Sequence, residues 1–170
     1  MECRETFEDI ISVWPFLKGE IDFQIPYSVR KRTLSMTDLG LTDGENLSAL
    51  TDGRPYYTIG EDYQSEQSVE LQERKSVLKS STKYAQYGRS FDTSLSLQVL
   101  FNRTPSLSLM DEIEREPHDF LLLLASGDYL LLRTDENTYL CKSEEQFGES
   151  YTQKLTITAE CYNGIQRIEG

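Results

Sequence analysis

Alternating apolar and polar residues predict several strands along this chain. Over Phe91–Phe101, leucine and valine alternate with serine and glutamine, the period-two pattern of a strand with one buried face. The same alternation over Gln67–Gln72 and Tyr151–Cys161 predicts two more strands. Ile21–Ile25 also alternates and predicts a strand ended by Pro26.

The segment Asp119–Ser143 is the most apolar part of the chain. Leu121–Leu124 is an unbroken leucine run, which predicts a strand buried on both faces. Ser126-Gly127-Asp128 predicts a turn, Tyr129–Leu132 a second strand, and Thr138–Cys141 a third. These elements together predict a β-meander at the centre of the fold.

Two short helices are predicted from apolar spacing and proline positions. The first is N-terminal: Phe7, Ile10, Ile11 and Trp14 fit the i, i+3, i+4, i+7 template of a short amphipathic helix, which Pro15 would stop near Val13. The second begins at Thr104-Pro105, a capping hydroxyl followed by proline at the first helical position, and ends at Pro117.

The predicted fold class is mainly β, in one domain spanning residues 1–170. Val29–Met36 predicts one more strand, and residues 144–148 predict a linker. Strands, one helix and then more strands favour an antiparallel β-sandwich or barrel, with one short flanking helix and a long acidic loop or hairpin arm.

Residues 37–66 form that predicted loop or arm. The segment is rich in glycine and carries seven acidic residues against one base, Arg54. The sequence Leu-Thr-Asp-Gly occurs at 41–44 and again at 50–53, which indicates two Asp-Gly turns, since the ligand spacing of a calcium loop is absent. Because long loops in compact domains are usually functional or disordered, we expect an assembly arm that becomes ordered against a neighbouring subunit.

Residues 74–89 are the only basic segment, and they contain Tyr84 and Tyr87. Bases among aromatics are typical of single-stranded nucleic-acid binding, but a basic strand that pairs with the acidic loop, in the same subunit or the next, fits the net charge better. The predicted assembly residues are Asp38, Asp43, Glu45, Asp52, Tyr56, Tyr57, Glu61, Asp62, Arg74, Lys75 and Lys79.

Composition narrows the classes of function. The chain has 170 residues, a net charge of −12 and an estimated pI of 4.5, which disfavours general nucleic-acid binders. We expect no signal peptide and no membrane span, since the longest apolar run is short. Cys3, Cys141 and Cys161 are dispersed, which predicts three free thiols and no metal.

Catalytic chemistry finds little support in the sequence. His118 is the single histidine, and its place after Pro117 predicts a solvated loop position. No phosphate-binding glycine loop occurs, and no carboxylate lies in an apolar run that would raise its pKa. We therefore expect a protein that is not an enzyme and holds no cofactor.

The C-terminal half carries a family resemblance in its order of elements. These are LSLQVLF, the helix PSLSLMDEIERE, the strands DFLLLLAS and GDYLLLRTDENTYLC, the acidic linker EEQFGES, and the closing strand QKLTITAE. This order resembles small structural proteins of tailed phages and prophages of Bacteroidetes, and more loosely the tail-tube fold.

The resemblance implies a virion structural subunit, made in the host cytoplasm, that forms rings with its own copies and contacts other virion proteins. It implies no catalytic residues, no membrane and no tight nucleic-acid binding, with DNA passing through an acidic lumen that repels phosphate. Two alternatives stay open. One is a small acidic intracellular inhibitor or immunity-type protein that binds a basic partner. The other is a barrel that holds a small ligand, with Trp14, Tyr56 and Tyr57 at its mouth.

Overall fold

The computed structural model of the chain describes residues 4–42, 44–59, 68–72, 75–85, 88–100, 112–147 and 151–169. The chain is mainly β: a curled open sheet, or half-barrel, with two short helices. The strands are β1 (Arg4–Phe7), β2 (Ile10–Leu17), β3 (Thr33–Leu34), β4 (Tyr56–Ile59), β5 (Ser68–Leu71), β6 (Val77–Ala85), β7 (Gly88–Leu100), β8 (His118–Leu124), β9 (Tyr129–Leu132), β10 (Leu140–Phe147), β11 (Tyr151–Cys161) and β12 (Ile165–Ile168).

The helical elements are short. A 3₁₀ turn spans Thr37–Leu39, and α1 spans Ser48–Thr51. Residues 112–115 are helical and bury Ile113 completely, in agreement with the end of the predicted second helix. The first part of that predicted helix lies outside the described residues.

The sheet runs in the order β1-β6-β7-β5-β4-β2-β8-β9-β12-β3, and β11 pairs with the second side of β7 and with β10. On its first side β7 is paired by β6, as far as Val77↔Ser96, and then by β5 at Leu71↔Val99. Strands β6 and β5 therefore lie end to end along one side of β7. At this point the sheet divides into two layers.

We name these layers by how they are covered. The covered layer is β2, β8 and β9, and the open layer is β1, β6, β7, β11 and β10, in that order of pairing. Two chain segments, β1–β2 and β11–β12, pass from one layer to the other and so belong to both. Strand β1 pairs with β6 in the open layer, whereas β2, which follows it after Glu8 and Asp9, pairs with β8 and β4. In the same way, β11 pairs with β7 in the open layer, whereas β12 pairs with β9 in the covered layer.

Strand β8 separates two hydrophobic clusters, as its leucine run predicts. Phe120 and Leu122 point into the inner cluster within the curl of the sheet, and Leu121 joins the outer cluster on its other face. All three side chains are at most 1% exposed. Burial on both faces of β8 is thus confirmed, together with β5, β7 and β11 as predicted strands.

The outer cluster corrects the expectation of an arm. Leu39, Leu41 and Leu47 are buried against Trp14 and Leu131 of the covered layer. The described part of the predicted arm therefore folds back over the outer face of the sheet, because its few leucines are spaced to bury there, and β4 within it is an interior strand.

The predicted N-terminal helix is wrong, since this segment forms β1 and β2. Strand β2 is buried on both faces, with Val13 in the inner cluster and Trp14 in the outer one. An interior strand of this kind is nearly continuously apolar and so also matches a helical template. Pro15 has no N–H to donate. It is tolerated because the pairing of β2 with β4 ends at Val13↔Tyr57, two residues before Pro15.

The meander is correct only for its first two strands. Leu140–Phe147 pairs with β11 and not with β9, and it replaces the predicted linker over 144–147. The error arises because β10 is an edge strand whose polar side chains do not alternate with apolar ones.

Two more predicted strands are wrong. Ile21–Ile25 is irregular, although its apolar residues do pack towards the outer cluster, and only Thr33–Leu34 of the predicted strand Val29–Met36 is a strand. The irregular path follows a close approach: a Cβ on Gly40, whose φ is 79°, would collide with the Asp22 carbonyl oxygen.

Candidate functional site

The open layer has one apolar and one polar face because its strands alternate strictly. Leu78, Leu95 and Ile157 lie on the inner face and are at most 1% exposed. Their neighbours Lys79 and Thr158 pair with Ser94 and are exposed on the opposite face. This polar face has no cluster of apolar side chains above it among the described residues, in contrast to the covered layer.

A shallow groove of about 580 Å³ crosses this layer. Its lining is mainly hydroxyl-bearing, with three carboxylates and one base: Glu5, Thr6, Lys79, Ser80, Ser81, Asp92, Thr93, Ser94, Thr138, Thr158, Ala159 and Glu160. The hydroxyl of Thr93 donates to the Ala159 carbonyl at 2.8 Å and lies 3.1 Å from the Cys161 sulfur. Such a lining offers hydrogen bonds to polar surfaces, but it holds no histidine to activate a hydroxyl.

The open layer ends in two unlike edges. In the described part of the chain β1 pairs only with β6, and β10 pairs only with β11. Strand β10 spans eight residues, and its side chains from Lys142 to Glu145 are exposed, as is Leu140 at 50%. An edge strand presents a row of N–H and C=O groups that can pair with another strand.

The predicted tyrosines do not form a contact surface. Tyr57 is fully buried in the inner cluster, and burial raises the pKa of its hydroxyl well above the usual value. Tyr56 is half-buried and stacks on Trp14, with ring centroids 5.4 Å apart. Since these rings pack in two different clusters, the expectation of a ligand-binding mouth built from them is wrong.

The predicted acidic residues are held locally. Asp38 accepts from Lys31 Nζ at 2.5 Å and from the Ser35 N–H at 2.9 Å, and the lysine lowers the pKa of its carboxyl. Glu45 accepts from the hydroxyl and the N–H of Thr42, which lowers its pKa. Asp52 is exposed where α1 ends.

The predicted basic residues lie on another side of the sheet from the acidic segment. Lys79 is on β6 beside the groove, and Lys75 is exposed just before that strand. No ion pair in the described ranges joins either lysine to residues 37–59, and Arg54 of that segment pairs with Glu20. Asp43, Glu61, Asp62 and Arg74 lie outside the described residues.

Asp119 is a buried carboxylate that the sequence pattern did not predict. Asp119 is 2% exposed; it accepts from Lys18 Nζ at 2.6 Å and from the Thr134 N–H at 2.9 Å. Burial raises the pKa of Asp119, although Lys18 opposes the shift. The expectation that no carboxylate lies in an apolar run is thus wrong. The sequence feature that indicates the buried carboxylate is the aspartate at the start of the run DFLLLL.

Asp119 belongs to a second cavity of about 450 Å³. Arg133 in its wall donates to the Ile25 carbonyl at 2.8 Å and lies 4.0 Å from the centre of the Phe23 ring. These contacts fix the irregular segment over the covered layer, which indicates a structural role.

The prediction that His118 is solvated is also wrong. Its side chain is 2% exposed, not solvated, and Nδ1 lies 2.7 Å from the Glu116 carbonyl oxygen. Strand β8 begins one residue earlier than the sequence suggests, and pairing with Leu17 carries His118 into the sheet.

The two cysteines in the described ranges, Cys141 and Cys161, are free thiols, as predicted. Burial raises the pKa of each to about 12, so neither is a ready nucleophile.

Comparison of the chain with protein families, with curated proteins and with solved structures found no match. None of the described helices is long and apolar enough to cross a membrane. Within the same residues, no group of three or more histidine, cysteine, aspartate or glutamate side chains is placed to hold a metal ion.

Proposed function

We propose that this chain is a non-enzymatic structural subunit of a phage tail or a related injection apparatus, of the tail-tube, terminator or connector type. Its copies assemble into rings and contact other virion proteins. The observation that carries the proposal is the open half-barrel, in which the strands β1 and β10 each pair on one side only among the described residues. A closed barrel has no edges, whereas an edge strand of an open sheet can pair with a strand from another chain.

The unlike edges favour head-to-tail assembly. Strand β1 has four residues and β10 has eight, so joining β10 of one copy to the β1–β6 side of the next uses two different surfaces. Heterologous contacts of this kind give rings when the rotation between copies closes.

Charge supports the same orientation. Glu144 and Glu145 on β10 are exposed, and so are Lys75 and Lys79 near β6. Opposite charges on the two surfaces steer docking and are screened beyond roughly 8–10 Å at physiological ionic strength, so assembly weakens with added salt.

Assembly by the sheet edges makes the polar face of the open layer one wall of the ring. It carries charges of both signs, among them Lys79, Lys142 and Lys154 and the acidic Asp92, Glu144 and Glu160. If this wall lines the lumen, the DNA meets hydroxyl groups and charges of both signs, and not a uniformly acidic surface.

Light scattering and negative-stain microscopy of the purified chain test the proposal. We expect rings at high protein concentration that dissociate as salt is added. A protein that stays monomeric, or one that stops at a dimer through a two-fold contact, would contradict ring assembly. Antibody labelling of particles from cells that make the chain tests the virion assignment separately.

Two proline substitutions on β10 test the edge itself. Adjacent residues direct their N–H groups to opposite sides of a strand, so Ser143→Pro and Glu144→Pro differ in whether a β10–β11 bond is lost. We expect one variant to melt like the parent and lose assembly, and the other to lose stability. If the variant with parental stability still forms rings, β10 is not the joining edge.

The alternative, an acidic inhibitor that binds a basic partner, has one observation in its favour. Glu112, Glu114 and Glu116 are all exposed on the helical turn before β8. Under this alternative the chain is monomeric, and changing these three residues to glutamine weakens binding to a basic enzyme without changing stability.

A further inference from the structure

A small basic cleft lies where three segments that are distant in sequence meet. Its volume is about 260 Å³, and it is lined by Arg30, Lys31, Arg32, Arg89, Phe91 and Asn163. Four of these six residues carry positive charge, in a chain whose net charge is −12. This concentration of charge does not belong to the sheet edges described above.

Asn163 fixes the cleft from below. Its side chain is 7% exposed, donates to the Val29 carbonyl at 2.8 Å and accepts from the Lys31 N–H at 3.0 Å. The guanidinium of Arg30 donates to the carbonyls of Tyr162 and Arg89 and lies 3.7 Å from the centre of the Tyr162 ring. These bonds hold the 29–32 segment against the end of β11 and the start of β7.

Phe91 forms the apolar wall. The guanidinium carbons of Arg32 and Arg89 lie 5.1 and 5.5 Å from the centre of its ring. Gly164, with φ of 65°, sits so close that an added Cβ would be 2.9 Å from the ring. The ring is therefore held in place by the backbone, and two guanidinium groups lie near it.

The carboxylates near the cleft neutralise only part of its charge. Lys31 pairs with Asp38 at 2.5 Å, and Arg32 pairs with Glu5 at 3.1 Å. Arg30 and Arg89 form no ion pair with any residue that the structure describes. Like charges placed together repel, so this arrangement favours an anion between them.

We propose that this cleft binds a single phosphate group. Planar guanidinium forks match the oxygens of phosphate in paired hydrogen bonds. The volume is below the roughly 300–1,000 Å³ of pockets that bury drug-sized ligands, so the cleft fits one phosphate group and not a whole nucleotide.

The phosphate has two chemical sources, free phosphate ion and the phosphodiester of a nucleic acid. The overall charge of −12 repels a long polyanion, so free phosphate is the expected ligand. Inorganic phosphate and a short single-stranded oligonucleotide are therefore titrated separately. The inference does not depend on ring assembly.

Isothermal titration with inorganic phosphate in chloride buffer tests the site. We expect one site per chain, with affinity reduced on the order of tenfold in Arg89→Ala and reduced less in Arg89→Lys, which keeps the charge but loses the fork. Arg115→Ala is the control: it removes one exposed positive charge outside the cleft and leaves the affinity unchanged.

Thermal melting provides the second measurement, because a ligand that binds the folded state raises the Tm with concentration. Arg89→Ala should melt like the parent without phosphate and lose the phosphate-dependent rise. Binding of the oligonucleotide that is also lost in Arg89→Ala assigns the phosphate to nucleic acid. If neither ligand binds the parent, or if Arg89→Ala and Arg115→Ala bind phosphate equally, the proposal is wrong.

Discussion

The covered and open layers are both built from β-strands, but they differ in how many faces of the strand are buried. In the covered layer, β8 buries Leu121 and Leu122 on opposite faces, because the described residues of 18–42 and 44–51 fold over the outer side. In the open layer, β7 buries Leu97 but leaves Ser96 on a polar face.

This contrast separates stability from recognition. Apolar area removed from water stabilises by roughly 25 cal/mol per Å², so the doubly buried strands should contribute most to folding. The open layer forgoes that gain on one face and keeps two edges and a hydroxyl-lined groove accessible to other molecules. We therefore expect substitutions in the covered layer to affect folding, and substitutions on the polar face to affect binding.

The largest effect is expected from Leu122→Asp in the covered layer. Leu122 is 0% exposed, and burying an unpaired carboxylate costs several kcal/mol, out of about 5–15 kcal/mol of total stability. The variant should not fold, whereas Leu123→Asp, at a half-buried position, should be less damaging. Circular dichroism with thermal melting measures both, and a Leu122→Asp protein with the parental Tm would show that β8 is not central.

A neighbouring pair in the open layer tests the difference between its two faces. Leu97→Ala removes a fully buried side chain and should cost about 2–5 kcal/mol. Ser96→Ala, one residue away on the polar face, should change stability by less than about 0.5 kcal/mol. Urea denaturation gives both values, and equal losses would mean that the polar face is covered after all.

Asp119 gives a smaller, pH-dependent effect at the end of the covered layer. Burial raises its folded pKa above 3.8, so its contribution to stability is fully present below pH 3.8 and is lost as pH rises through the folded pKa. Asp119→Asn cannot ionise, so it should gain stability relative to the parent across that window. Urea melts between pH 3 and 7 measure the difference, with the exposed Asp52→Asn as control; parallel curves for parent and Asp119→Asn would contradict the shift.

Thiol reactivity gives the mildest test. Three thiols should be counted under denaturing conditions. In the native protein Cys161 should react far more slowly than Cys141, because Cys161 is 0% exposed whereas Cys141 is partly exposed on the edge strand β10. Labelling of Cys141→Ser and Cys161→Ser in a Cys3→Ser background separates them, and equally fast labelling would mean that the end of β11 opens readily.

Sequence pattern predicts the fold best where each strand has one wet face. Strands β7 and β11 were predictable because apolar and polar residues alternate along them. The pattern fails for β2, whose two buried faces remove the alternation, and for β10, whose exposed edge needs no apolar residues. Both failures follow from position in the sheet, which a local pattern does not contain.

The sites were less predictable than the strands. The basic cleft joins Arg30, Arg89 and Asn163, which no local window contains. The acidic and basic segments were expected to meet because their charges are opposite, yet the leucines of residues 37–51 direct that segment to the covered layer. The free energy gained by burying these leucines is larger than that of attraction between exposed charges, so burial determines where the segment lies.

The two chain segments that belong to both layers have a consequence for how the protein is made. Because β1–β2 and β11–β12 each cross between layers, neither layer is complete without strands from both of these segments, which are distant in sequence. Contacts between such distant residues slow folding, so the half-barrel should close only after β12 has left the ribosome. Unfolding should then be a single cooperative transition, since opening either layer removes strands from the other.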